Sequence, residues 1–197
     1  NLIPNGQGNL SEWGNVNCGS GTQEWDCVNE LTANSSDYLW ANANNQRELF
    51  SLSDPSTNNT IANLTFYYYA RQVSGNAADA CFKPLVYLNG ITYTLDDNVC
   101  SGINYALMQS KSFPLSPLGI PWKSADLQNM QSGMIALDPN AGSEVAQMYV
   151  QINYVALVQN TSPICGNAVC DVGETSSSCP TDCNLGCQDK DGGYLPF

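Results

Sequence analysis

The sequence contains no histidine and few basic residues, and both absences exclude classes of function. Histidine is the usual general base near neutral pH and the commonest transition-metal ligand, so Ser-His-Asp catalysis, Cys-His catalysis and histidine zinc sites are excluded. Six Lys and Arg residues face eighteen Asp and Glu residues, giving a net charge of −12. Because nucleic acids and anionic membranes bind basic patches, we expect neither as a partner.

The sequence also lacks a long hydrophobic run. Its longest apolar stretch, 149–158, is interrupted by Gln151 and Asn153 and is too short to cross a bilayer. The chain begins at Asn1 without a basic segment followed by an apolar one, as expected of a mature product whose signal peptide has been removed. We therefore expect an extracellular or cell-surface protein without membrane insertion and without an organic cofactor.

Neutral polar residues and cysteines are abundant instead. Asn, Ser and Thr occur 23, 19 and 10 times, a composition typical of exposed β surfaces. Nine cysteines are hard to explain in a reducing compartment, so we expect disulfide bonds, with zinc held by four thiolates as the alternative. Five N-glycosylation sequons favour the secreted interpretation: Asn9, Asn34, Asn58, Asn63 and Asn160.

Strand signals dominate up to about residue 160, where β-branched and aromatic runs alternate with turn residues. The clearest lies at 84–95, where two alternating runs flank Asn89-Gly90, a sequence that favours a two-residue hairpin turn. Further strands are predicted at 25–31, 38–41, 48–52, 61–73, 105–113, 133–137 and 145–158. The three tyrosines at 67–69 would place rings on both faces of a sheet.

The order of these elements predicts the fold class and the domains. A short helix at 124–130, capped by Ser124 and with Asp126 near its positive end, is predicted in a loop. About nine short strands with one short helix predict an all-β, jelly-roll-like antiparallel sandwich. We assign residues 1–160 to this sandwich and 161–197 to a small disulfide-rich module with a C-terminal tail.

Several short motifs in the sandwich region resemble jelly-roll modules of prokaryotic and phage surface proteins. They are Leu2-Ile3-Pro4-Asn5-Gly6, Trp13, Val28-Asn29-Glu30, Asp37-Tyr38 and 122–133. The resemblance covers roughly residues 2–158 and implies the fold. It transfers no catalytic residues.

The sharpest motif is cysteine-rich and spans 165–183. Its segments Cys165-Gly-Asn-Ala-Val-Cys170 and Cys179-Pro-Thr-Asp-Cys183 resemble a short repeat of archaeal and bacterial surface proteins. So few residues cannot bury enough apolar area to fold unaided, and two disulfides are the economical solution. Four cysteines allow three pairings, of which we prefer Cys165 with Cys179 and Cys170 with Cys183. Zinc is disfavoured because zinc ribbons use C-x2-C spacing.

The remaining cysteines lie mostly in the sandwich region. Cys18 and Cys27 would close a short loop, and Cys81 and Cys100 would bracket the predicted hairpin. Cys187 is left over, which predicts an unpaired thiol or a partner outside these 197 residues.

Three carboxylates of the cysteine-rich segment suggest a calcium site. Asp171, Glu174 and Asp182 lie among turn residues and carry the oxygen ligands that Ca²⁺ prefers. The spacing differs from an EF-hand, and we favour the alternative that these acids are solvated turn and cap residues.

The sequence is compatible with three functions. The first is a structural subunit of a glycosylated filament or coat, in which Cys187 and the apolar tail 192–197 contact neighbouring subunits of a homopolymer. The alternative is a carbohydrate-binding or adhesion module, because such sandwiches expose aromatic rings to sugars. Its candidate residues, each of which could instead be a core residue, are Trp13, Trp25, Trp40 and Trp122.

Glycoside hydrolysis is the third and least favoured function. It would need an acid and base pair drawn from Glu12, Glu24, Asp26 and Glu30. Nothing in the sequence places two of these carboxylates across a cleft, so we expect no enzymatic activity.

Overall fold

The computed structural model describes residues 1–18, 23–55, 59–73, 80–137, 142–155, 165–166 and 174–183. Contacts between residues divide the chain into two units, Asn1–Val155 and Ala156–Phe197. The predicted boundary was residue 160. Each unit is described by itself.

The first unit is built from two antiparallel sheets. Its strands are β1 (Pro4–Ser11), β2 (Gly14–Val16), β3 (Tyr38–Ala41), β4 (Arg47–Leu52), β5 (Ile61–Gln72), β6 (Ala80–Leu88), β7 (Ile91–Thr94), β8 (Val99–Ser101), β9 (Ala106–Gln109), β10 (Gln131–Ala136) and β11 (Ser143–Tyr154). One sheet has the order β1-β4-β10-β6-β7, with β8 also paired to β6, and the other has the order β2-β3-β11-β5-β9. This arrangement confirms the predicted all-β antiparallel sandwich.

The core is formed by the alternating side chains that the two sheets turn towards each other. In β5, Phe66 and Tyr68 are buried, whereas Tyr67 and Tyr69 lie on the opposite face of the strand. The Tyr68 hydroxyl donates to the carbonyl oxygen of Gly133 at 3.0 Å, so its polar end is satisfied inside the sandwich. The expectation that these tyrosines point to both faces is confirmed.

The hairpin at Asn89-Gly90 forms as predicted. Leu88 at the end of β6 pairs with Ile91 at the start of β7. Asn89 and Gly90 adopt φ angles of 51° and 86°, the left-handed conformation that a type I′ turn requires at both central positions. The register of the edge of this sheet is therefore encoded locally.

The N-terminal segment pairs with the last strand of the unit. The backbone N–H of Leu2 donates to the Val150 oxygen at 2.8 Å, and the N–H of Val150 donates to the Leu2 oxygen at 2.9 Å. This bridge is antiparallel and lies on the free edge of β11 beyond its pairing with β3. The first residues of the chain are thus fixed beside its final β-strand.

Two local predictions were wrong. The segment predicted as a strand at 25–31 contains a 3-10 helix, Glu24–Cys27, because Cys27 turns back to bond with Cys18 and the N–H of Asp26 bonds the Gln23 oxygen. The short helix α1 (Ser124–Leu127) forms, but its N-cap is Lys123 and not Ser124. The Asp126 carboxylate accepts the Lys123 N–H at 3.0 Å and so closes the first turn.

In the second unit, the described residues form a small disulfide-bonded turn structure. Cys165 is bonded to Cys179, and the helix α2 (Pro180–Cys183) follows directly. A turn precedes it, in which the Thr175 oxygen accepts the N–H groups of Ser178 and Cys179. Among the described parts of both units, no helix has the length and apolar character needed to cross a membrane.

Candidate functional site

The outer face of the five-stranded sheet carries a concentration of aromatic side chains. In β3, in β5 from Phe66 to Gln72 and in β11 from Met148 to Gln151, buried residues alternate with half-buried ones that lie on the side away from the core. The half-buried aromatic residues on this side, here called the aromatic face, are Tyr38, Trp40, Tyr67, Tyr69 and Tyr149. Strand alternation therefore separates these rings from the hydrophobic core.

The rings of this face are held by stacking between neighbouring strands. Tyr67 on β5 is opposite Tyr149 on β11, and their ring centroids are 4.7 Å apart with an interplanar angle of 9°. Tyr69 stacks on Tyr105 at 5.3 Å and 10°. Because stacked rings constrain one another, the face presents a fixed aromatic surface.

Two grooves lie along the aromatic face. The larger of these two, groove A, has a volume of about 470 Å³. It is lined by Asn1, Ile3, Glu30, Leu31, Ser53, Leu107, Gln147 and Tyr149. Gln147 donates from Nε2 to the backbone oxygen of Glu30 at 2.6 Å, which fastens the loop carrying Glu30 and Leu31 onto β11. Groove A thus combines an aromatic ring, aliphatic side chains, amides and a carboxylate, which suits an uncharged polar ligand with apolar faces.

A smaller groove, groove B, lies on the same face and has a volume of about 360 Å³. Its lining consists of Val16, Tyr38, Trp40, Val73 and Glu144. Glu144 is directly opposite Trp40 in the pairing of β11 with β3. The two grooves therefore use the same combination of a carboxylate and an aromatic side chain.

The carboxylate of groove B is held by a basic residue and a tyrosine. Arg71 forms an ion pair with Glu144 through Nε, and the Tyr105 hydroxyl donates to the same carboxylate oxygen at 3.0 Å. The Arg71 guanidinium also lies over the Tyr105 ring, 4.7 Å from its centroid. The positive charge of Arg71 is thus already paired with Glu144 and stacked on Tyr105 of the same chain.

Glu30 in groove A has an environment that favours its neutral form. Burial, reinforced by the nearby carboxylates of Asp37 and Asp26, raises the pKa of its carboxyl group to about 7. Atom Oε2 of Glu30 and atom Oδ1 of Asp37 are both buried without another hydrogen-bond partner in the described structure. A hydrogen bond between these two side chains contributes to the raised pKa.

The four tryptophans proposed from the sequence have different environments. Trp13 and Trp122 are buried, with 4% and 3% of their surface exposed, and their indole N–H groups donate to the backbone oxygens of Gln46 and Phe113. They are core residues and cannot stack on a ligand. Trp25 packs against the core from the 3-10 helix, whereas Trp40 lines groove B. Tyr38 and Tyr149 were not predicted from the sequence as ligand-stacking residues, although tyrosines at alternate strand positions indicate such a role.

The four acids considered for catalysis are not assembled in one groove. Glu12 forms an ion pair with Arg47 at 2.9 Å, and Glu24 accepts a hydrogen bond from Asn15 at 3.2 Å. Of the four, Glu30 alone lines either of the two grooves described here. Asp26 lies close enough to Glu30 to raise its pKa but lines neither of the two grooves.

The disulfide bonds of the described residues join Cys18 with Cys27, Cys81 with Cys100, and Cys165 with Cys179. Cys81 and Cys100 are directly opposite each other in β6 and β8, at the end of β6 away from the Asn89-Gly90 turn. Cys183 is also disulfide-bonded, while Cys170 and Cys187 lie outside the described residues. The bridges indicate that the chain matures in an oxidising environment.

The predicted calcium ligands are only partly described. Asp171 lies outside the described residues; Asp182 is buried and accepts the N–H of Gly166 on Oδ2 at 2.6 Å. Potential ligand atoms of Cys165, Cys179 and Asp182 lie within 4.8 Å of one another, but the two sulfurs are bonded together and offer no thiolate. Calcium binding by Asp171, Glu174 and Asp182 stays a prediction. Three of the four cysteines of the zinc alternative, Cys165, Cys179 and Cys183, are disulfide-bonded.

Comparison with known proteins gives weak likenesses. No protein-family model matches the chain, and none of the curated proteins matches it. Among solved structures, the CBM22-1 xylan-binding domain of Xyn10C from Paenibacillus barcinonensis is 14% identical, with a TM-score of 0.42 over 79% of this chain and 95% of that domain. An exo-beta-agarase is 10% identical, with a TM-score of 0.36 over 78% of this chain; the match spans 25% of the agarase.

Proposed function

We propose that this chain is a secreted, non-enzymatic carbohydrate-binding module whose ligand lies on the aromatic face. The observation that supports the proposal is groove A, where Tyr149, Gln147 and Glu30 place a ring, an amide and a carboxylate around one volume. Aromatic rings pack against the C–H faces of pyranoses, and amides and carboxylates bond their hydroxyl groups. Groove B repeats this chemistry with Trp40 and Glu144.

The ligand class that fits these grooves is a neutral polysaccharide. Groove A contains an acid, Glu30, and groove B contains another, Glu144. The basic residue beside groove B, Arg71, is already paired with Glu144. The chain's net charge of −12 and the absence of Lys and Arg from the residues that line the two grooves disfavour an anionic polysaccharide.

The proposal predicts that replacing the groove aromatics weakens binding to a neutral polysaccharide. Binding is measured by affinity electrophoresis against a panel of soluble polysaccharides, followed by calorimetry with the best ligand. Tyr149→Ala and Trp40→Ala should each weaken binding by about tenfold, because each removes one stacking surface. The matched control is Tyr87→Ala, a half-buried tyrosine of β6 in the other sheet, which should bind normally.

Two results would contradict the proposal. One is that the folded wild-type protein binds no polysaccharide in the panel. The other is that Tyr149→Ala and Trp40→Ala bind as well as Tyr87→Ala, which would locate the ligand elsewhere. Circular dichroism of each variant checks that the sandwich remains folded.

The filament hypothesis stays a prediction. It depends on the sheet edges as templates for a neighbouring subunit, on Cys187 and on the tail at 192–197. Cys187 and the tail lie outside the described residues. The described residues contain no feature that specifically favours a homopolymer over a module that acts alone. Electron microscopy of native material is the direct measurement.

A further inference from the structure

Three sequons lie within described residues, and their local structures differ. Asn34 is exposed in the loop that follows Leu31, Asn9 is exposed on β1, and Asn63 is half-buried within β5. N-glycosylation joins a sugar to the Asn side-chain nitrogen and requires a Ser or Thr two residues later. The same sequence motif therefore occurs in three different local structures, which can be compared.

At Asn34 the Asn side chain and the Ser hydroxyl of the sequon are in direct contact. The hydroxyl of Ser36 donates to Oδ1 of Asn34 at 2.8 Å, and the backbone N–H of Ser36 donates to the same oxygen at 3.2 Å. This is an Asx turn, a local structure in which the Asn side chain takes the place of a backbone carbonyl. Asn17 holds the turn from outside by donating to the Ser36 oxygen at 3.0 Å.

At Asn63 the sheet separates the same parts. Asn63 is opposite Asn153 in the pairing of β5 with β11, and its Oδ1 accepts Nδ2 of Asn153 at 2.7 Å. The hydroxyl of Thr65 is buried and bonds to Ser112 at 3.2 Å, not to Asn63. Because alternate residues of a strand are roughly 7 Å apart, this hydroxyl reaches Asn63 only if β5 leaves the sheet.

Asn9 is intermediate between these cases. It is exposed, but its backbone N–H is held by Oε1 of Gln131 at 2.8 Å within the strand arrangement of β1. Asn9 lies between Gln7 and Ser11, where the register of β1 against β4 shifts, so it is not in a regularly paired stretch. The separation that regular pairing enforces at Asn63 therefore does not apply at Asn9.

We propose that Asn34 is an N-glycosylation site of the folded protein and that the fold protects Asn63 from this modification. This site is independent of the proposed function. The sugar donor is a polyprenyl-phosphate-linked oligosaccharide. The bond from sugar C1 to the phosphate oxygen breaks, Nδ2 of Asn34 forms a bond to C1, and the proton lost from Nδ2 and the lipid phosphate are released.

The experiment uses the full chain, folded and with its disulfides intact. It is incubated with a single-subunit oligosaccharyltransferase and a lipid-linked oligosaccharide, and site occupancy is measured by peptide mass spectrometry. Asn34 should be modified, and Asn63 should react on the order of a thousandfold more slowly, because its reaction requires opening of a central strand. Ser36→Ala should abolish modification at Asn34, and Ser36→Thr should retain it.

A parallel reaction separates the effect of the fold from the effect of sequence. Synthetic peptides covering 5–15, 30–40 and 59–69, all first verified as substrates of the chosen enzyme, should be modified at comparable rates. Equal occupancy of Asn34 and Asn63 in the folded chain would overturn the proposal. An unmodified Asn34 in the folded chain would overturn it as well, since its peptide is a substrate.

Discussion

Glu48 is a carboxylic acid enclosed within the sandwich. It has no exposed surface; its Oε1 accepts Nε2 of Gln7 at 2.8 Å, and its Oε2 accepts the backbone N–H groups of Glu12 and Trp13 at 3.0 and 3.1 Å. These bonds favour the charged form, but burial outweighs them and raises the pKa of Glu48 to about 7. Gln7 Oε1 is buried without a partner, so a protonated Glu48 could donate to it after the Gln7 amide turns over.

This acid predicts a pH dependence of stability of defined sign. Between about pH 4.5 and 7 the folded state holds a proton on Glu48 that the unfolded state has lost, so the free energy of unfolding should fall as the pH rises through this range. The fall due to Glu48 is on the order of 3 kcal/mol. Urea denaturation at several pH values measures it. Glu48→Gln should flatten the profile in this range.

Glu30 provides the control for that profile, because its pKa is also raised to about 7. Glu30→Gln should remove only its own contribution and leave the decline due to Glu48. The pKa of Glu12 is lowered, mainly by its hydrogen bond to Arg47. Its effect on the free energy of unfolding therefore falls below pH 4.5 and does not alter the comparison of the Glu48 and Glu30 variants. A Glu48→Gln protein with the full wild-type slope would contradict the assignment.

At the scale of elements, β10 lies very close to β4 at Gly133. This residue of β10 pairs with Leu49 of β4, and a Cβ atom built on it would lie 1.8 Å from the backbone oxygen of Glu48. No side-chain rotation can relieve that overlap, because the opposing atom belongs to the backbone of a paired strand. The two strands can lie this close only because residue 133 lacks a side chain.

Gly133→Ala should therefore lower the free energy of unfolding by about 3 kcal/mol, since strands β4 and β10 must separate locally. Gly102→Ala is the matched control, because a Cβ there meets no atom within 4 Å. Its stability should stay within about 0.5 kcal/mol of wild type. The midpoints of urea denaturation of the two variants test this prediction. Equal midpoints would show that strands β4 and β10 accommodate the added methyl group without loss of stability.

The elements also differ in how far the sequence could predict them. The hairpin at Asn89-Gly90 was predictable because its turn chemistry is local, and β5 was predictable because its aromatic run is long. The edge strands β1, β2 and β8 were missed, since their strand conformation depends on partners distant in sequence.

The candidate site was less predictable than the fold. Alternation predicted rings on both faces at Tyr67 to Tyr69, but it could not place Tyr149 beside Gln147 and Glu30. Groove A combines residues from the N-terminus, a loop after the 3-10 helix, β9 and β11, and only the folded sheet order brings these segments together. Tryptophan content was misleading, because two of the four residues serve the core.

On the scale of the whole molecule, the net charge of −12 affects which polysaccharides can approach. A neutral polysaccharide that binds the aromatic face should lose affinity when it is carboxymethylated, because the negatively charged chain repels the added carboxylates. The loss should be large at low salt and smaller near 0.5 M NaCl, where charges more than roughly 5 Å apart are screened. Hydroxyethylation of the same polymer is the uncharged control. A carboxymethylated polymer that binds more tightly at low salt would contradict the predicted ligand class.

The bridge between Leu2 and Val150 determines how the first unit would respond to mechanical tension. Because the two segments are antiparallel, residue 1 and residue 155 leave the pair in the same direction. A force applied through these positions would open the Leu2–Val150 hydrogen bonds one at a time, like a zipper, instead of shearing them together. We expect single-molecule pulling to release the N-terminal segment at low force, whereas loops closed by Cys18–Cys27 and Cys81–Cys100 would not extend. The sandwich would then lengthen under load in steps, as a compliant spacer.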